Sequence, residues 1–137
     1  MAARSQGHHH MLNVSVKITE VTNTMNELQA VVALGALAQS ARLRVFRALM
    51  GAGLEGMTPT VIAATLGLPA STLSFHLRGL LDAGLVEVHR TGRHLIYRPC
   101  VAQMNALLSY LTAHCCGGEP CGLTVPPAAS GHKAGVR

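Results

Sequence analysis

The stretch LPASTLSFHLRGLLDA, from Leu68 to Ala83, constrains the fold of this chain more than any other feature. Its leucines at positions 73, 77, 80 and 81 recur with the spacing of one helical face, which predicts a helix with a buried apolar stripe. Pro69 suits the first turn of a helix, where its missing N–H is not needed, and Gly84 predicts the helix end. Ser71 or Thr72 is expected to cap the helix or to lie in its first turn.

The opposite face of this helix carries short hydrogen-bonding side chains near its start and a cation further along: Ser71, Thr72, Ser74, Phe75, His76 and Arg78. A helix that enters the DNA major groove by its N-terminal end presents such a face. An ordinary surface helix of another helical domain would fit the same pattern. The segments on either side favour DNA recognition.

A second helix is predicted just before this one, with Thr58 as its cap, Pro59 in its first position and Gly67 at its end. Two short helices joined by a tight glycine-containing turn are typical of a helix-turn-helix. A hairpin with Gly92 near its tip follows over residues 85–98. Its arginines, Arg90 and Arg93, would suit a wing that contacts the DNA backbone. A solvated hairpin is the alternative, and the order of the elements favours the wing.

Apolar helices are predicted at both ends of this unit, over Met25–Ala38, Ser40–Met50 and Val101–His114. Asn26 and Ser40 are candidate N-caps, and the buried stripe of the second of these helices is expected to consist of Leu43, Phe46, Leu49 and Met50. The fold class is therefore mainly α with a β-hairpin wing, a winged helix-turn-helix. The terminal helices are expected to form a two-fold dimer, as in proteins that bind paired half-sites.

Three regions are predicted from this pattern: a flexible N-terminal arm over 1–24, the winged helix-turn-helix dimer domain over 25–114, and a cysteine-rich segment with a disordered tail over 115–137. The tract His8–His10 is expected to be a remnant or part of the arm rather than a site. The tail from Leu123, rich in Pro, Ala and Gly, is expected to be disordered.

Composition narrows the possible partners. Eleven Lys and Arg against six Asp and Glu give a net charge of +5, which favours a polyanion such as DNA. No apolar run approaches the roughly 20 residues of a membrane span, and no secretory signal is visible. We therefore expect a cytoplasmic protein whose four cysteines are thiols or metal ligands rather than disulfides. The chain has no phosphate-binding glycine loop and no C-x-x-C in a βαβ context, which disfavours an enzyme that uses the cysteines, such as an arsenate reductase or a thiol oxidoreductase. We therefore expect no enzyme activity and no small-molecule substrate.

The runs TLSFHLRGLLDAGLVEVHRTGRHLIY and SARLRVFRALM resemble the ArsR-type family of winged helix-turn-helix metalloregulatory repressors. The most specific parts are S-x-H-L at Ser74–Leu77, A-G-L-V at Ala83–Val86 and R-x-G-R at Arg90–Arg93, within a similarity that covers roughly 28–111. The resemblance implies a homodimer on a pseudo-palindromic operator that is released by an inducer. It also implies that the DNA-binding residues are Ser71, Thr72, Ser74, His76, Arg78, Arg90 and Arg93.

Two sensing sites of this family are absent from the chain. Some arsenic-sensing members carry Cys-Val-Cys at the start of the third helix, but the matching stretch Gly56–Thr60 has no cysteine. Zinc sensors use spaced Asp and His residues on the last helix, where this chain offers only Asn105 and His114. The inducer must therefore be sought elsewhere in the sequence.

Three thiols lie within seven residues at the end of the last predicted helix: Cys115, Cys116 and Cys121. Cys115 and Cys116 are expected in the last turn of that helix. The two neighbouring cysteines are not expected to pair, because their Cα atoms would be about 3.8 Å apart, below the usual disulfide minimum of about 4.4 Å. Three converging thiolates suit a soft ion. The arrangement resembles the family branch whose arsenite site is a C-terminal Cys-Cys with a third cysteine nearby. It implies trivalent arsenic or antimony as the inducer, with no obligatory cofactor.

Four alternatives remain open for these cysteines. Zinc could take the same thiols together with His114 in a tetrahedral site. A methylated trivalent arsenical needs only two sulfurs, for which Cys115 and Cys116 could suffice. The cluster could also be a thiol redox sensor, or the thiols could have no role. Cys100, at the start of the last helix, is expected to pack as a small apolar residue.

Overall fold

The computed structural model describes residues 24–123, which form five α-helices, one β-hairpin and two 3-10 turns. In chain order these are α1 (Glu27–Leu37), α2 (Ser40–Ala52), a 3-10 turn (Gly53–Glu55), α3 (Pro59–Leu66), α4 (Ala70–Asp82), β1 (Val86–Thr91), β2 (His94–Pro99), α5 (Val101–Thr112) and a second 3-10 turn (Cys115–Gly118). This architecture confirms the predicted fold class. Residues 1–23 and 124–137, which include most of the predicted arm, the His8–His10 tract and nearly all of the predicted tail, lie outside the described residues.

The first two helices are fixed by side-chain caps. The Asn26 side chain accepts a hydrogen bond from the Gln29 backbone at 2.8 Å, and the Gln29 side chain accepts one from the Asn26 backbone at 2.9 Å, so the predicted cap is confirmed as a capping box. The cap predicted for Ser40 is wrong. Gln39 caps α2 instead, because its longer side chain reaches the Arg42 N–H at 2.8 Å, while Ser40 is already helical.

The helix-turn-helix forms as the local sequence predicts. The Thr58 hydroxyl accepts a hydrogen bond from the Val61 N–H at 3.3 Å, and Gly67 ends α3 in the left-handed conformation. Helices α3 and α4 meet at 111°, within the range expected of this motif. Helix α4 is shorter at each end than predicted: Pro69 is its N-cap, without a side-chain hydrogen bond, and Ala83 is its C-cap.

The hairpin is antiparallel, and its outermost pair, Thr91 with His94, encloses a two-residue turn. It is attached to the helices at Met57, whose backbone exchanges two hydrogen bonds with Tyr97, at 2.9 and 2.8 Å. Gly56 permits this approach, since a Cβ there would lie 2.6 Å from the Tyr97 carbonyl oxygen and its φ is +71°. The wing is therefore anchored to the loop that leads into α3.

The core lies where α4 meets the other helices and the base of the hairpin, and its largest fully buried side chains are Val45, Leu49, Ile62, Leu73, Leu80 and Leu85. Two expectations for α2 are wrong: Leu43 and Met50 are exposed, and Val45 is buried in their place. The helix turns this side inward because it packs against α4 and β2.

Helix α1 reverses the usual arrangement of large and small residues. It buries Ala30 and Ala33, and it exposes four large apolar side chains: Leu28, Val31, Val32 and Leu34. Small residues let the backbones of α1 and its neighbours approach closely. As a result, the larger side chains of α1 lie on the surface of the single chain.

None of the helices in residues 24–123 is by itself long and apolar enough to cross a membrane. Helices α3 and α4 reach the length and composition of a span only when they are taken together across their bend.

Candidate DNA-binding face and cysteine cluster

Helix α4 presents an exposed polar face. Its buried side is formed by Leu73, Leu77 and Leu80, and on the opposite side lie the exposed residues Ser71, Ser74, Phe75 and Arg78, with Thr72 half-buried at the margin. The apolar side holds the helix in place, so the outward residues have a fixed position relative to the hairpin. This face can offer hydroxyl and guanidinium groups to the base edges of a major groove.

The sequence-based placement of His76 on this outer face is wrong. Its side chain is only 6% exposed, because it follows Leu73 by three positions and precedes Leu80 by four and so shares their buried side. In the part of the chain that the structure describes, its Nδ1 has no hydrogen-bond partner. Burial, and to a lesser extent the charge of Arg42, lower the pKa of the imidazole below its ordinary value. His76 therefore packs on the buried side of α4 as a neutral side chain.

The charge of Arg78 is partly balanced by Asp82, one helical turn further on, at 3.5 Å between Nε and Oδ1. Both side chains are largely exposed, so this ion pair contributes little to stability. A phosphate or a guanine could therefore replace Asp82 as the partner of Arg78 at small cost.

The two wing arginines lie near the tip of the hairpin. Arg90 is on β1, Arg93 is in the turn, and both are exposed. The structure thus places the predicted wing cations at the end of the hairpin furthest from its attachment at Met57. Such cations can follow a phosphate backbone beside the groove that α4 would enter.

Arg42 and Arg44, whose roles sequence analysis did not identify, connect the helices. The Nε of Arg42 donates to the Ala36 carbonyl at 2.8 Å, and a guanidinium nitrogen of Arg44 donates to the Leu66 carbonyl at 3.2 Å. Arg42 also crosses α4 at Gly79, where a Cβ would lie 3.1 Å from its Cδ. A glycine in the middle of a helix was the available signal, since it often marks a close approach.

The three cysteines come together after α5. The sulfur atoms of Cys115, Cys116 and Cys121 all lie within 4.8 Å of one another, and Cys115 is half-buried while the other two are exposed. The expectation that the neighbouring pair forms the last turn of the helix is wrong, because α5 ends at Thr112. His114 and Cys116 then adopt left-handed φ values of 59° and 55°, and the chain turns back on itself.

Two of these cysteines are joined. Cys116 and Cys121 form a disulfide with their Cα atoms 6.2 Å apart, and Cys115 is a free thiol. The expectation of thiols throughout is therefore wrong for this pair, since the turn at Cys116 brings the two side chains together. Cys100 is also free, half-buried at the start of α5, where it lines a groove of about 710 Å³ with Met25 and Tyr110.

Comparison with known proteins identifies the fold. Residues 37–89, from the end of α1 into β1, match the family model of a helix-turn-helix domain. An ArsR-like transcriptional regulator from Rhodococcus sp. RHA1 is 25% identical, with a TM-score of 0.56 over 61% of this chain and 76% of that one. A homodimeric winged helix-turn-helix DNA-binding domain from Mycobacterium bovis, a possible ArsR-family transcriptional regulator, is 26% identical, with a TM-score of 0.50 over 83% and 92%. The chain carries a helix-turn-helix domain and is similar in sequence and fold to ArsR-like winged helix-turn-helix regulators.

Other comparisons agree with this similarity. HlyU from Vibrio cholerae N16961 is 27% identical to this chain, with a TM-score of 0.51 over 64% of this chain and 97% of that one. No match is found among curated proteins. The DNA-binding transcriptional regulators to which the chain is similar are not enzymes, which agrees with the expectation from the sequence that this protein is not an enzyme. The similarity leaves open what the cysteine cluster binds.

Proposed function

We propose that this protein is a homodimeric ArsR-type repressor that binds a pseudo-palindromic operator and releases it on binding arsenite or antimonite. The observation that carries the proposal is the cluster of Cys115, Cys116 and Cys121, whose sulfurs lie within 4.8 Å of one another. Once the disulfide between Cys116 and Cys121 is reduced, the three thiolates that this turn brings together would suit a soft trivalent ion. Its lone pair would occupy the direction that has no ligand.

Operator binding is supported by the exposed face of α4 and by the wing. Ser71, Ser74 and Arg78 are exposed on α4 and would contact base edges, while the exposed Arg90 and Arg93 would contact phosphates. Thr72, at the half-buried margin, can contact the backbone as the helix enters the groove. The net charge of +5 favours association with DNA.

Dimer formation is supported by the apolar face of α1, where Leu28, Val31 and Val32 are exposed in the single chain. These residues recur at i, i+3 and i+4 and so share one side of the helix. A two-fold dimer through the terminal helices would present two copies of α4 to successive major grooves, about 34 Å apart. The related domain from Mycobacterium bovis is itself homodimeric.

Induction follows from the position of the cysteines at the end of α5. Helix α5 packs against α1 within the chain, so it lies next to the face of α1 that we assign to the interface. Inducer binding by Cys115, Cys116 and Cys121 would fix the segment after α5 and favour a dimer geometry in which the α4 helices no longer match the groove spacing. By linkage, DNA must weaken inducer binding by the same factor by which the inducer weakens DNA binding.

The proposal is tested by measuring operator binding of the reduced protein with increasing arsenite. We expect Cys116→Ser to bind the operator as the unsubstituted protein does and to lose release by arsenite. Cys100→Ser is the matched control and should be released normally, because Cys100 lies outside the cluster. If the Cys116→Ser variant were still released, the site would be wrong.

A further variant separates the possible inducers. Cys121→Ser leaves the sulfurs of Cys115 and Cys116, so we expect it to lose the arsenite response. If Cys121→Ser were still released by methylarsenite at the concentration that releases the unsubstituted protein, the two-sulfur site of Cys115 and Cys116 would be favoured, as a methylated arsenical requires. His114 is not part of the cluster of described ligand atoms, which gives a four-ligand zinc site less support. Release by zinc would favour that site nevertheless.

A redox sensor is the second candidate function, because Cys116 and Cys121 are joined as a disulfide. In that mechanism the two thiols lose two electrons and two protons to a peroxide and form the disulfide, while hydrogen peroxide is reduced to two water molecules or an organic hydroperoxide to an alcohol and water. The test is operator binding after peroxide treatment without arsenite. Release by the oxidant alone, reversed by a phosphine reductant, would favour this function over metalloid sensing.

A further inference from the structure

One exposed side chain on the recognition helix is apolar. Phe75 is 68% exposed, whereas Phe46, the only other phenylalanine of the chain, is 5% exposed in the core. An exposed phenylalanine ring contributes little to the stability of the folded chain, so Phe75 is available for contact with whatever α4 binds.

The position of Phe75 identifies that partner. It follows Ser71 by four positions and precedes Arg78 by three, so the three residues share one side of α4. The single acidic residue of the helix, Asp82, is paired with Arg78. Polar and cationic surroundings of this kind favour a nucleic acid over an apolar protein surface as the binding partner of Phe75.

We propose that Phe75 recognises a thymine in each half-site by contact with its C5-methyl group, an inference that rests on the proposed operator binding. The thymine methyl is the distinctive apolar group in the major groove, and aromatic or methyl-bearing side chains contact it. Hydroxyl and guanidinium groups beside Phe75 can bind polar base edges, but they gain nothing from the methyl. Phe75 is therefore a specificity-determining residue.

The ring has a defined neighbour. Its centroid lies 5.5 Å from that of the buried His76 imidazole, with an angle of 67° between the two planes. His76 lies on the buried side of α4, so the exposed ring is in edge contact with a side chain that belongs to the core.

The test removes only the methyl group. Binding sites are first selected from random duplexes with the purified, reduced protein, and each thymine of the best site is then replaced by deoxyuridine. Burial of one methyl corresponds to about a fourfold gain in affinity. We therefore expect one symmetric replacement to weaken the dimer roughly fifteenfold.

The Phe75→Ala variant should bind the thymine and uracil duplexes equally. The control is Leu54→Ala, which also truncates an exposed apolar residue (82% exposed) but on the first 3-10 turn, and it should retain the full sensitivity. A wild-type protein that binds its selected site with no sensitivity to any uracil would overturn the role of Phe75 and leave operator binding intact. A Phe75→Ala variant as sensitive as the wild type would do the same. Absence of sequence-dependent binding would overturn the proposed function as well.

Discussion

Truncating Leu28 to alanine is expected to weaken the dimer while leaving the single chain folded. Leu28 is 71% exposed on α1, and complete burial of a leucine is worth about 1.5–3 kcal/mol. Only the exposed part of the side chain can be newly buried in the dimer, and alanine keeps one methyl group. Each substituted copy therefore loses about 1 kcal/mol of dimerisation free energy. Two copies lose about 2 kcal/mol in a two-fold dimer, which corresponds to a dissociation constant roughly thirtyfold higher.

Sedimentation equilibrium over a range of protein concentrations measures this constant directly. Circular dichroism should show an unchanged helix content, because Leu28 makes little contact within its own chain. Leu54→Ala removes a residue of similar exposure outside the terminal helices and should leave the constant unchanged. Equal dimer constants for Leu28→Ala and the unsubstituted protein would refute the assignment of this face to the interface.

Three further predictions concern the wing, the buried histidine and the cysteines. Arg93→Ala should reduce the slope of log affinity against log salt by about 2, since two phosphate contacts are lost per dimer. Arg93→Lys keeps the charge and should keep the slope. An unchanged slope in the alanine variant would show that Arg93 does not contact DNA. Because the pKa of His76 is lowered by burial and by Arg42, the unfolded chain binds more protons, so the free energy of unfolding should fall as the pH drops below about 6.5. Thermal denaturation between pH 7.5 and about 5 should show a smaller fall for His76→Leu, and parallel curves would contradict the assignment. Oxidation with diamide should abolish the arsenite response and a phosphine reductant should restore it, because a disulfide between Cys116 and Cys121 offers no thiolate; release of the oxidised protein at the same arsenite concentration would count against the site.

The helix-turn-helix and the hairpin could be predicted from sequence because their signals are local. Thr58 and Gly67 satisfy the ends of α3 through their own side chain and backbone conformation, and the hairpin turn contains Gly92. The regular leucine spacing of α4 fixed its buried side. These features depend on neighbours within a few residues, which a sequence displays directly.

The position of His76 could have been predicted and was not. Its spacing from Leu73 and Leu80 places it on the buried side, but its polarity suggested an outward direction. A histidine can be buried when it stays neutral, and its lowered pKa reflects this. In this case helical periodicity was a better guide than side-chain chemistry.

The environment of α1 and the path of the cysteine segment depend on contacts that the sequence does not display. Ala30 and Ala33 are buried while the larger residues of α1 are exposed, an arrangement that makes sense when a partner covers the larger ones. The cysteine spacing indicated that the sulfurs converge, and the structure brings them together. The spacing could not indicate the left-handed conformation of Cys116, because non-glycine residues rarely adopt that conformation.

The most direct test of the account is fluorescence anisotropy of the reduced protein on a labelled duplex from upstream of its own gene, titrated in turn with arsenite, methylarsenite and zinc. The account predicts sequence-dependent binding and release by arsenite at micromolar concentrations, with no release by zinc. Release by methylarsenite or zinc alone would contradict the three-thiol site and leave the DNA-binding fold intact. Absence of sequence-dependent binding would contradict the whole account of the face on α4.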